Sequence, residues 1–524
     1  MVRYPDRIQV RVPLDDPEDQ ASLRRAIARE TGCSPESLPD VRLIRRAIDA
    51  RGSRIWLNLE LDLGPSVSKP SRGLQPIRGE PKTLIIGDGP AGLFCAYELA
   101  LSGQSSLVID RGKKVQPRRR DLKLLNQFGE VPADSNYCFG EGGAGTYSDG
   151  KLYTRSQKRG DPQAVLDILA YHGAPAQILT DARPHIGSNK LPKVITSMRE
   201  ALEDVGIQFR FETRVEGLKI RNGRCVGVRI AGGEVILAEN IVIATGHSAV
   251  DVFHFLDRAG VALEAKPFAV GVRIEHPQPL IDRLQYKTHA GHPKLPAASY
   301  KLAAKIDHRS VYSFCMCPGG WIVPSSTSAD GLVVNGMSLS RRDSPFANSG
   351  LVVNVTPADL ETSGFTGLFG GVHFQQKIEH TAFLAGGGQL RAPATRVTDF
   401  LQRRASNSVP NTSYIPGLQA VNLDSVLDCG PCLSDSLRQG LQIFGTKMPG
   451  YLTEEAVLVG IESRTSCPIR IPRDARSLQS STMPGLYPAG EGAGYAGGIV
   501  SAAIDGIRIA KAIVAAQRHA PLHV

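Results

Sequence analysis

The chain has 524 residues and a mass of 56.3 kDa, which exceeds one ordinary hydrophobic core and predicts two or three domains. Its apolar fraction of 42% and charged fraction of 21% are close to the averages for soluble globular proteins. The net charge of +10 has the sign that attracts nucleic acid, but no recognition motif accompanies it. We therefore expect no nucleic-acid partner. The charge also suits a phosphate-bearing cofactor and an acidic substrate.

The sequence shows neither a membrane span nor an export signal. Residues 1–20 are charged and lack the apolar core of a secretory signal. The best candidate for a membrane span, residues 499–516, is interrupted by Asp505, Arg508 and Lys511. Nine cysteines, an odd number scattered along a long chain, favour reduced thiols over a disulfide framework. These features predict a soluble cytoplasmic protein without a membrane role.

Residues 1–63 are predicted to form a small β-α-β-β module. The alternation and helical spacing of apolar residues place its elements at Arg7–Val12, Pro17–Thr31, Val41–Ile48 and Arg54–Leu63. A module of this size has little core of its own, so we expect it to dock on the main body. Residues 64–81 contain four prolines and are predicted to be a linker.

After the linker, short apolar strands alternate with glycine turns and helices, which predicts an α/β core. We assign residues 82–250 and 481–524 to the two parts of a cofactor domain. Residues 251–480 are rich in Ser, Gly and Pro and carry strand-like runs such as Gly331–Asn335 and Leu351–Val355. They are predicted to form an inserted mixed α+β substrate domain.

A dinucleotide fingerprint opens the α/β core. The apolar strand Thr83–Ile86 is followed by Gly-Asp-Gly-Pro-Ala-Gly at residues 87–92 and by a predicted helix from Leu93 to Leu101. The glycines permit a tight turn, close approach to a diphosphate and packing of helix on strand, and the helix amino terminus attracts phosphate. A second strand, Ser106–Ile109, ends at Asp110, where a ribose-binding carboxylate is expected.

Two distant segments extend this fingerprint. One is the strand Ile241–Ile243 with the Ala-Thr-Gly turn at residues 244–246, and the other is Gly485–Gly492, which leads through Gly497 and Gly498 to a helix from Ile499. Together with the glycine turn, they resemble the glutathione-reductase-type FAD-binding oxidoreductases. The resemblance implies a Rossmann-like FAD domain in which the Ala-Thr-Gly turn passes beside the cofactor.

In that family a late Gly-Asp pair hydrogen-bonds the ribityl chain, and the next helix points its amino terminus at the flavin carbonyl. Gly490 and Glu491 occupy the place of this pair, with a side chain one methylene longer. A helix amino terminus stabilises the negative charge of reduced flavin, which raises the reduction potential.

A narrower resemblance covers nearly the whole chain. It is to the uncharacterised bacterial and plastid FAD-dependent dehydrogenases, a group without a settled substrate. The motifs that carry it are Phe139–Leu152, Arg183–Asn189, Tyr312–Gly320, Asn335–Ser338 and Glu462–Ser466.

The segment Gly140–Gly150 is the predicted active-site loop. Its glycines would let backbone N–H groups face the cofactor, and Tyr147, Ser148, Asp149 and Lys151 follow as groups that orient substrate. We name Tyr147, Lys151 and His185 as candidate catalytic residues, with His185 as an acid or base near pH 7. The alternatives are an ordinary mobile surface loop for Gly140–Gly150 and a structural role for His185.

A basic run follows Asp110. The resemblance implies that Arg118 reaches the pyrophosphate, and the other cations of the run form a solvated face. The complete set of predicted cofactor contacts is Gly87, Gly89, Pro90, Ala91, Gly92, Asp110, Arg111, Arg118, Gly142, Gly143, Gly145, Val215, Thr245, Gly246, Gly490, Glu491, Gly497, Gly498 and Ile499.

Two cysteine pairs were considered for redox or metal chemistry. Cys429-Gly-Pro-Cys432 has the spacing of a thiol–disulfide motif, but no strand precedes it as the thioredoxin context requires. Cys315-Met-Cys317 could supply half of a metal site, but no matching second pair is evident. We predict no metal site.

The leading hypothesis is an oxidoreductase that transfers a hydride between FAD and a small organic substrate. The sequence shows a single dinucleotide fingerprint, so NAD(P)H would bind only transiently as the electron donor. One alternative is an FAD-dependent monooxygenase. Another is a flavin-bearing tRNA-modifying or RNA-binding protein, motivated by the arginines at 45, 46, 51 and 54. The substrate, the reaction direction and the oligomeric state stay open.

Overall fold

A computed structural model describes residues 6–63, 73–154 and 159–519. The amino-terminal module consists of strand β1 (Arg7–Pro13), helix α1 (Gln20–Thr31) and strands β2 (Val41–Asp49) and β3 (Trp56–Leu63). Strand β3 lies between the other two and is antiparallel to both. The helix begins three residues later than predicted, because the Asp19 carboxylate accepts the Ser22 N–H and caps the helix. Residues 64–72 of the predicted linker lie outside the described residues.

Hydrogen bonds hold the module to the main body. The Arg46 N–H donates to the Thr180 carbonyl at 2.8 Å, and the Ala182 N–H returns a bond to the Arg46 carbonyl at 2.9 Å. The Lys294 ammonium donates to the carbonyls of Leu14 (3.0 Å) and Asp16 (2.7 Å). The small core of the module therefore gains its stability partly from the main body.

The rest of the chain alternates between strands and helices. Up to residue 258 the elements are β4 (Thr83–Ile86), α2 (Pro90–Leu101), β5 (Ser106–Ile109), α3 (Val115–Lys123), α4 (Pro162–Tyr171), α5 (Leu191–Asp204), β6 (Gln208–Arg210), β7 (Val215–Arg221), β8 (Arg224–Ile230), β9 (Val235–Leu237), β10 (Asn240–Ile243) and α6 (Val250–Arg258). Beyond it they are β11 (Glu264–Ala265), β12 (Phe268–Pro277), α7 (Gln278–Tyr286), β13 (Ala303–Ile306), β14 (Arg309–Cys317), β15 (Gly320–Pro324), β16 (Val334–Ser338), β17 (Phe346–Val355), α8 (Pro357–Glu361), α9 (Gly370–Ala385), β18 (Ala392–Arg396), α10 (Val397–Leu401), β19 (Leu418–Ala420), α11 (Asp424–Leu427), α12 (Ser434–Lys447), β20 (Val457–Glu462), β21 (Ile469–Arg470), β22 (Leu486–Pro488) and α13 (Ile499–His519).

A parallel sheet of order β22-β10-β4-β5-β6 forms the centre of the α/β part. Side chains of its strands alternate between two cores, one against α2, α5 and α13 and the other against α6 and the β7-β8-β9 sheet. Helices α2 and α13 pack so closely that a Cβ on Gly506 would lie 2.0 Å from the Ala91 carbonyl oxygen. Burial on both faces explains why the short strands are apolar after their first residue.

A second sheet, of order β13-β14-β17-β12-β20-β18-β19, is largely antiparallel and comes from the chain between β10 and β22. The predicted strand at Leu351–Val355 is the end of β17. The predicted strand at Gly331–Asn335 is shifted, since Val334–Ser338 is the part that pairs with β15. Helix α2 also starts earlier than the predicted Leu93, with Gly89 as its N-cap and Pro90 in its first turn.

Within the described ranges, no helix combines the length and the apolar character that a bilayer crossing requires.

We predict that Lys294→Met loosens the amino-terminal module. The substitution removes two charge-assisted hydrogen bonds and should cost about 1–3 kcal/mol locally. Hydrogen exchange followed by mass spectrometry should then show faster amide exchange in residues 7–63 and unchanged exchange in the parallel sheet. The exposed Lys305, replaced by Met, is the control. Equal exchange in the two variants would contradict this role of Lys294.

Candidate functional site

A cleft with a cavity volume of about 260 Å³ runs along the carboxyl ends of the parallel strands. Ligands of open α/β sheets bind at this edge, where the loops after the strands diverge. Here the loops after β4, β5, β10 and β22 all border the cleft, and the second sheet closes its far side. The segments that the sequence analysis connected, although far apart along the chain, thus meet at one site.

The glycine turn after β4 is shaped by backbone contacts. Gly87 has a φ of 103°, and a Cβ there would lie 2.4 Å from the Ala244 carbonyl oxygen. A Cβ on Gly92 would lie 1.9 Å from the Gly87 oxygen, so Gly92 serves helix packing and does not border the cleft. The N-cap Gly89 offers no side chain to the first N–H groups of α2. Those N–H groups remain available to an anion.

Asp110 joins this turn to its neighbours. Its carboxylate accepts N–H groups from Asp88 (3.0 Å), Gly112 (2.8 Å) and Gly140 (3.0 Å). It also borders the cleft, at the end of β5 where a ribose is expected. Arg111 borders the cleft as well, with its guanidinium over the Phe139 ring.

The Asp88 carboxyl is fully buried beneath the turn, and among the described residues it has no hydrogen-bond partner of normal geometry. Burial raises its pKa well above the usual range, and the nearby carboxylates of Glu141 and Asp110 raise it further. Both effects favour the neutral form of the carboxyl, which would add no negative charge beneath a diphosphate on the turn.

Arg118, which is predicted to reach a pyrophosphate, is turned into the protein. Its side chain is 0% exposed, and its guanidinium donates to the carbonyls of Asn136, Tyr137, Glu141 and Gly143 at 2.8–3.0 Å. Four of its five N–H groups are thus used within the protein. Arg118 instead supports the loop that brings Gly143 to the cleft.

The loop residues divide into two groups. Gly143 and Gly145 border the cleft, together with Val215, Thr245 and Gly246. Gly142 does not border it, and a Cβ there would lie 2.0 Å from the Thr146 hydroxyl oxygen. The cofactor contact predicted for Gly142 is therefore replaced by a structural role.

The segment after β22 forms the other end of the cleft, which is bordered by Gly490, Glu491, Gly497, Gly498 and Ile499. Helix α13 begins at Ile499, so its amino terminus faces the cleft. The Gly490 N–H donates to Asp505 at 2.8 Å, and this bond fixes the turn on α13.

Glu491 lies 3.9 Å from the imidazole Nδ1 of His247. Burial raises the pKa of Glu491 to about 7 and lowers the pKa of His247 to about 4. At neutral pH the imidazole of His247 is uncharged, and the carboxyl of Glu491 is close to the midpoint of its titration. Glu491 can therefore donate or accept a hydrogen bond at this end of the cleft.

These features fit FAD. The amino termini of α2 and α13 suit negative charge at two points of the cleft, Asp110 suits a ribose, and glycines stand where a Cβ would collide. The turn, the carboxylate and the second helix terminus belong to one continuous cavity, as an extended dinucleotide requires.

Among the three predicted catalytic residues, only Lys151 borders the cleft. Its ammonium lies 3.0 Å from Asp149 Oδ2, and Asp149 also pairs with Arg342 at 2.7 Å. Tyr147 is buried and does not border this cleft, but it lines a smaller pocket that shares residues with the cleft wall. Its hydroxyl donates to the Val115 carbonyl at 3.0 Å. The catalytic role of Tyr147 stays a prediction.

His185, also predicted to be catalytic, is held away from the cleft. Its Nε2 lies 3.2 Å from the Ser340 carbonyl oxygen, and its side chain does not border the cleft. Burial, together with the nearby Arg342 cation, lowers its pKa to about 4. The imidazole is therefore neutral at pH 7 and its Nε2–H is occupied.

Sequence reasoning missed part of the cleft wall. The missed residues include His247, Ser248, Phe314, Cys315, Asn335, Arg464 and Thr465. Most lie in motifs that carried the narrower resemblance, and His247 directly follows the Ala-Thr-Gly turn. Membership in those motifs was the available signal. The pairing of Arg464 with Glu379, at 2.8 and 3.0 Å, joins residues that no local pattern relates.

We predict that Arg118→Met destabilises the protein by about 3 kcal/mol or more, because four buried carbonyls lose their donor. Thermal unfolding of the flavin-free protein measures this loss. Arg120→Met, at an exposed position on the same helix, is the matched control. An unchanged melting temperature combined with weaker flavin binding would instead support the phosphate contact.

A second prediction concerns pH. Glu491 titrates near pH 7 when folded and near 4.5 when unfolded, so the folded state holds the extra proton between these values. The free energy of unfolding should fall as pH rises through this window, by about 1–3 kcal/mol. Glu491→Gln should flatten the decline in melts of the flavin-free protein, and the exposed Glu455→Gln should not. An identical pH slope in all three proteins would refute the assignment.

Comparison with known proteins identifies the family. The family described as "FAD-dependent protein, C-terminal domain-like" matches residues 267–465, and a domain of unknown function (DUF8436) matches residues 5–64. An uncharacterized protein of Clostridium beijerinckii is 38% identical over 532 residues, covering 96% of this chain and 97% of its own.

Three of the solved structures that the chain matches show low identity and low TM-scores. The flavin-dependent brominase Bmp2 has 13% identity and a TM-score of 0.35, with 83% of this chain and 79% of that chain covered. CtdE in complex with FAD has 11% identity and a TM-score of 0.33, with 84% and 89% covered. Glycine oxidase from Geobacillus kaustophilus has 14% identity and a TM-score of 0.36, with 83% and 94% covered. The clostridial relative and the domain match decide the assignment: the chain belongs to the family of FAD-dependent proteins.

Proposed function

We propose that the protein is an FAD-dependent oxidoreductase that transfers a hydride between flavin and a small organic substrate, with NAD(P)H as a transient donor. One observation carries the proposal. The cleft continues from the glycine turn, past the amino terminus of α13, to a polar wall that includes Lys151 and Asn335. A cavity with a dinucleotide part and a further polar part suits a cofactor together with a second molecule.

The first part of the cleft would hold the cofactor. Gly87, Gly89 and the amino terminus of α2 would bind the diphosphate, and Asp110 would bind the adenosine ribose. The turn Thr245–Gly246 and the start of α13 would border the flavin. When bound, FAD supplies reversible two-electron chemistry.

The residues of this chain would tune and orient that chemistry. The amino terminus of α13 stabilises negative charge at its end of the cleft. Lys151 on the polar wall and Arg342 behind it share the single carboxylate of Asp149, which leaves an excess positive charge near the cleft. The wall therefore favours a substrate with an anionic group. Phe314, also on the wall, restricts water there.

The RNA-binding alternative loses part of its basis. Arg46 pairs with Glu18 at 2.8 Å, and Arg51 pairs with Asp49 at 2.7 Å. Two of the four arginines that motivated it are thus neutralised within the module. For the monooxygenase alternative, we found no favouring contact in the described part of the chain.

The purified protein is expected to be yellow, or to become so on reconstitution with FAD. Anaerobic stopped-flow mixing with NADH and with NADPH should bleach the flavin absorbance, and the faster donor is the physiological class. Protein that stays colourless after reconstitution would overturn the proposal. Stoichiometric oxygen consumption with hydroxylation of an added substrate would favour the monooxygenase.

Gly87→Ala should weaken FAD binding by at least about tenfold, because the added Cβ meets the Ala244 carbonyl and the positive φ is strained. Gly103→Ala is the matched control. Gly103 also has a positive φ of 71°, but nothing lies within 4 Å of its Cβ position. Fluorescence titration of the flavin-free variants with FAD measures both affinities. Equal losses of FAD affinity in the two variants would show that backbone strain alone causes the effect.

A further inference from the structure

Two thiols, Cys315 and Cys317, lie at the end of β14 beside the cleft. Cys315 borders the cleft, and its side chain is exposed to that space. Cys317 is 1% exposed and lies directly behind the wall. Its Sγ is 3.2 Å from the Cys315 carbonyl oxygen. One thiol thus faces the cleft, and its near neighbour is protected from it.

A β-bulge creates this arrangement. Phe314 pairs with Gly350 and Cys317 pairs with Asn348, so two residues of β14 stand opposite the single Ser349. Cys315 has a φ of 41°, a backbone conformation that residues other than glycine rarely adopt. Bulges near active sites redirect side chains, and here the bulge turns Cys315 toward the cleft.

Cations surround the protected thiol. The Lys151 ammonium lies 3.4 Å from Cys317 Sγ, and Arg273 Nη2 lies 4.0 Å from the same sulfur. Although burial alone would lower the pKa of Lys151, the Asp149 carboxylate raises it above its usual range, so the ammonium stays charged. A thiolate at Cys317 would therefore be stabilised where it forms. Burial raises the pKa of Cys315 to about 11, so that sulfur is protonated when reduced.

We propose that Cys315 and Cys317 form a redox-active dithiol–disulfide pair that exchanges two electrons with the FAD of the same cleft. The inference rests on the proposed function, since a flavin in the cleft is the electron partner. It adds a second redox centre built from the protein itself.

The sulfur–sulfur bond of the disulfide breaks as it accepts two electrons and one proton from reduced flavin, which becomes oxidised. Cys315 leaves the step as a thiol and Cys317 as a thiolate beside Lys151. A proton from solvent then returns Cys317 to the thiol, and the reverse sequence reoxidises the pair. The Lys151 ammonium, 3.4 Å from Cys317 Sγ, places an opposite charge beside the sulfur that leaves.

The pair would let the enzyme hold electrons after its nicotinamide donor has left. The flavin and the disulfide each store two electrons, so the loaded enzyme would carry about four. A transient donor and an organic acceptor would then use the cleft in turn.

The Cys429–Cys432 motif is a poorer candidate. Cys429 packs against the core of the second sheet, and neither cysteine is among the described residues that border the cleft. Burial raises the pKa of both thiols, which disfavours the reactive thiolate.

Anaerobic dithionite titration of the flavin-loaded protein, first oxidised with diamide and desalted, tests the proposal. The wild type should take up about four electrons per flavin, and Cys315→Ser and Cys317→Ser about two each. The double variant Cys429→Ser/Cys432→Ser is the matched control and should still take up about four. In parallel, alkylation and peptide mass spectrometry should find Cys315 and Cys317 blocked before reduction and alkylated after it.

An uptake of about two electrons by the wild type, with both cysteines alkylated in the oxidised protein, would overturn the pair while leaving the proposed function intact. Absence of flavin binding would instead contradict the proposed function. If a serine variant does not fold, wild-type alkylation before and after reduction by NADH or NADPH decides the question alone. A four-electron uptake that disappears in the Cys429/Cys432 variant would assign the second centre to that motif.

Discussion

The buried guanidinium of Arg118 is the contact on which the cleft depends. It gathers four backbone carbonyls from residues 136–143, a stretch without regular strand or helix pairing of its own. Two carboxylates complete the support, since Asp110 accepts the Gly140 N–H and Glu141 pairs with the buried Arg199 at 2.7 Å. A glycine-rich loop gains no rigidity from its own side chains, so these charged groups supply it. The wall near Gly143 is therefore fixed before any ligand binds.

Part of the fold and of the cleft could be predicted from the sequence. Strands β4 and β5 were predicted with their observed bounds, because a buried parallel strand between a linker and a glycine turn has a clear apolar pattern. The residues around the glycine turn could be placed because their spacing follows from the geometry of a diphosphate on a helix terminus. Most residues predicted to contact the cofactor do border the cleft.

The spacing of residues along the sequence could not predict the directions of their side chains. Arg118, Tyr147 and His185 each have the right chemistry and the right neighbourhood in sequence, yet each is turned into the protein by tertiary contacts. The far wall of the cleft was equally hidden, because it comes from the second sheet and from a bulge at Cys315 that has no sequence signature. Its buried Arg273–Glu462 pair, at 2.9 Å, joins residues that are 189 positions apart.

The division of the parallel sheet between distant segments has a consequence for biosynthesis. Helix α2 buries its apolar surface against α13, and β10 receives its outer neighbour only when β22 has been made. About 400 residues separate α2 from α13, so at roughly 5–20 residues per second a ribosome needs about 20–80 s to deliver the missing partner. During that interval the nascent chain exposes the apolar face of α2 and the unpaired edge of β10. Chaperones bind surfaces of this type. The cleft can therefore be completed only after residues 486–519 have been synthesised.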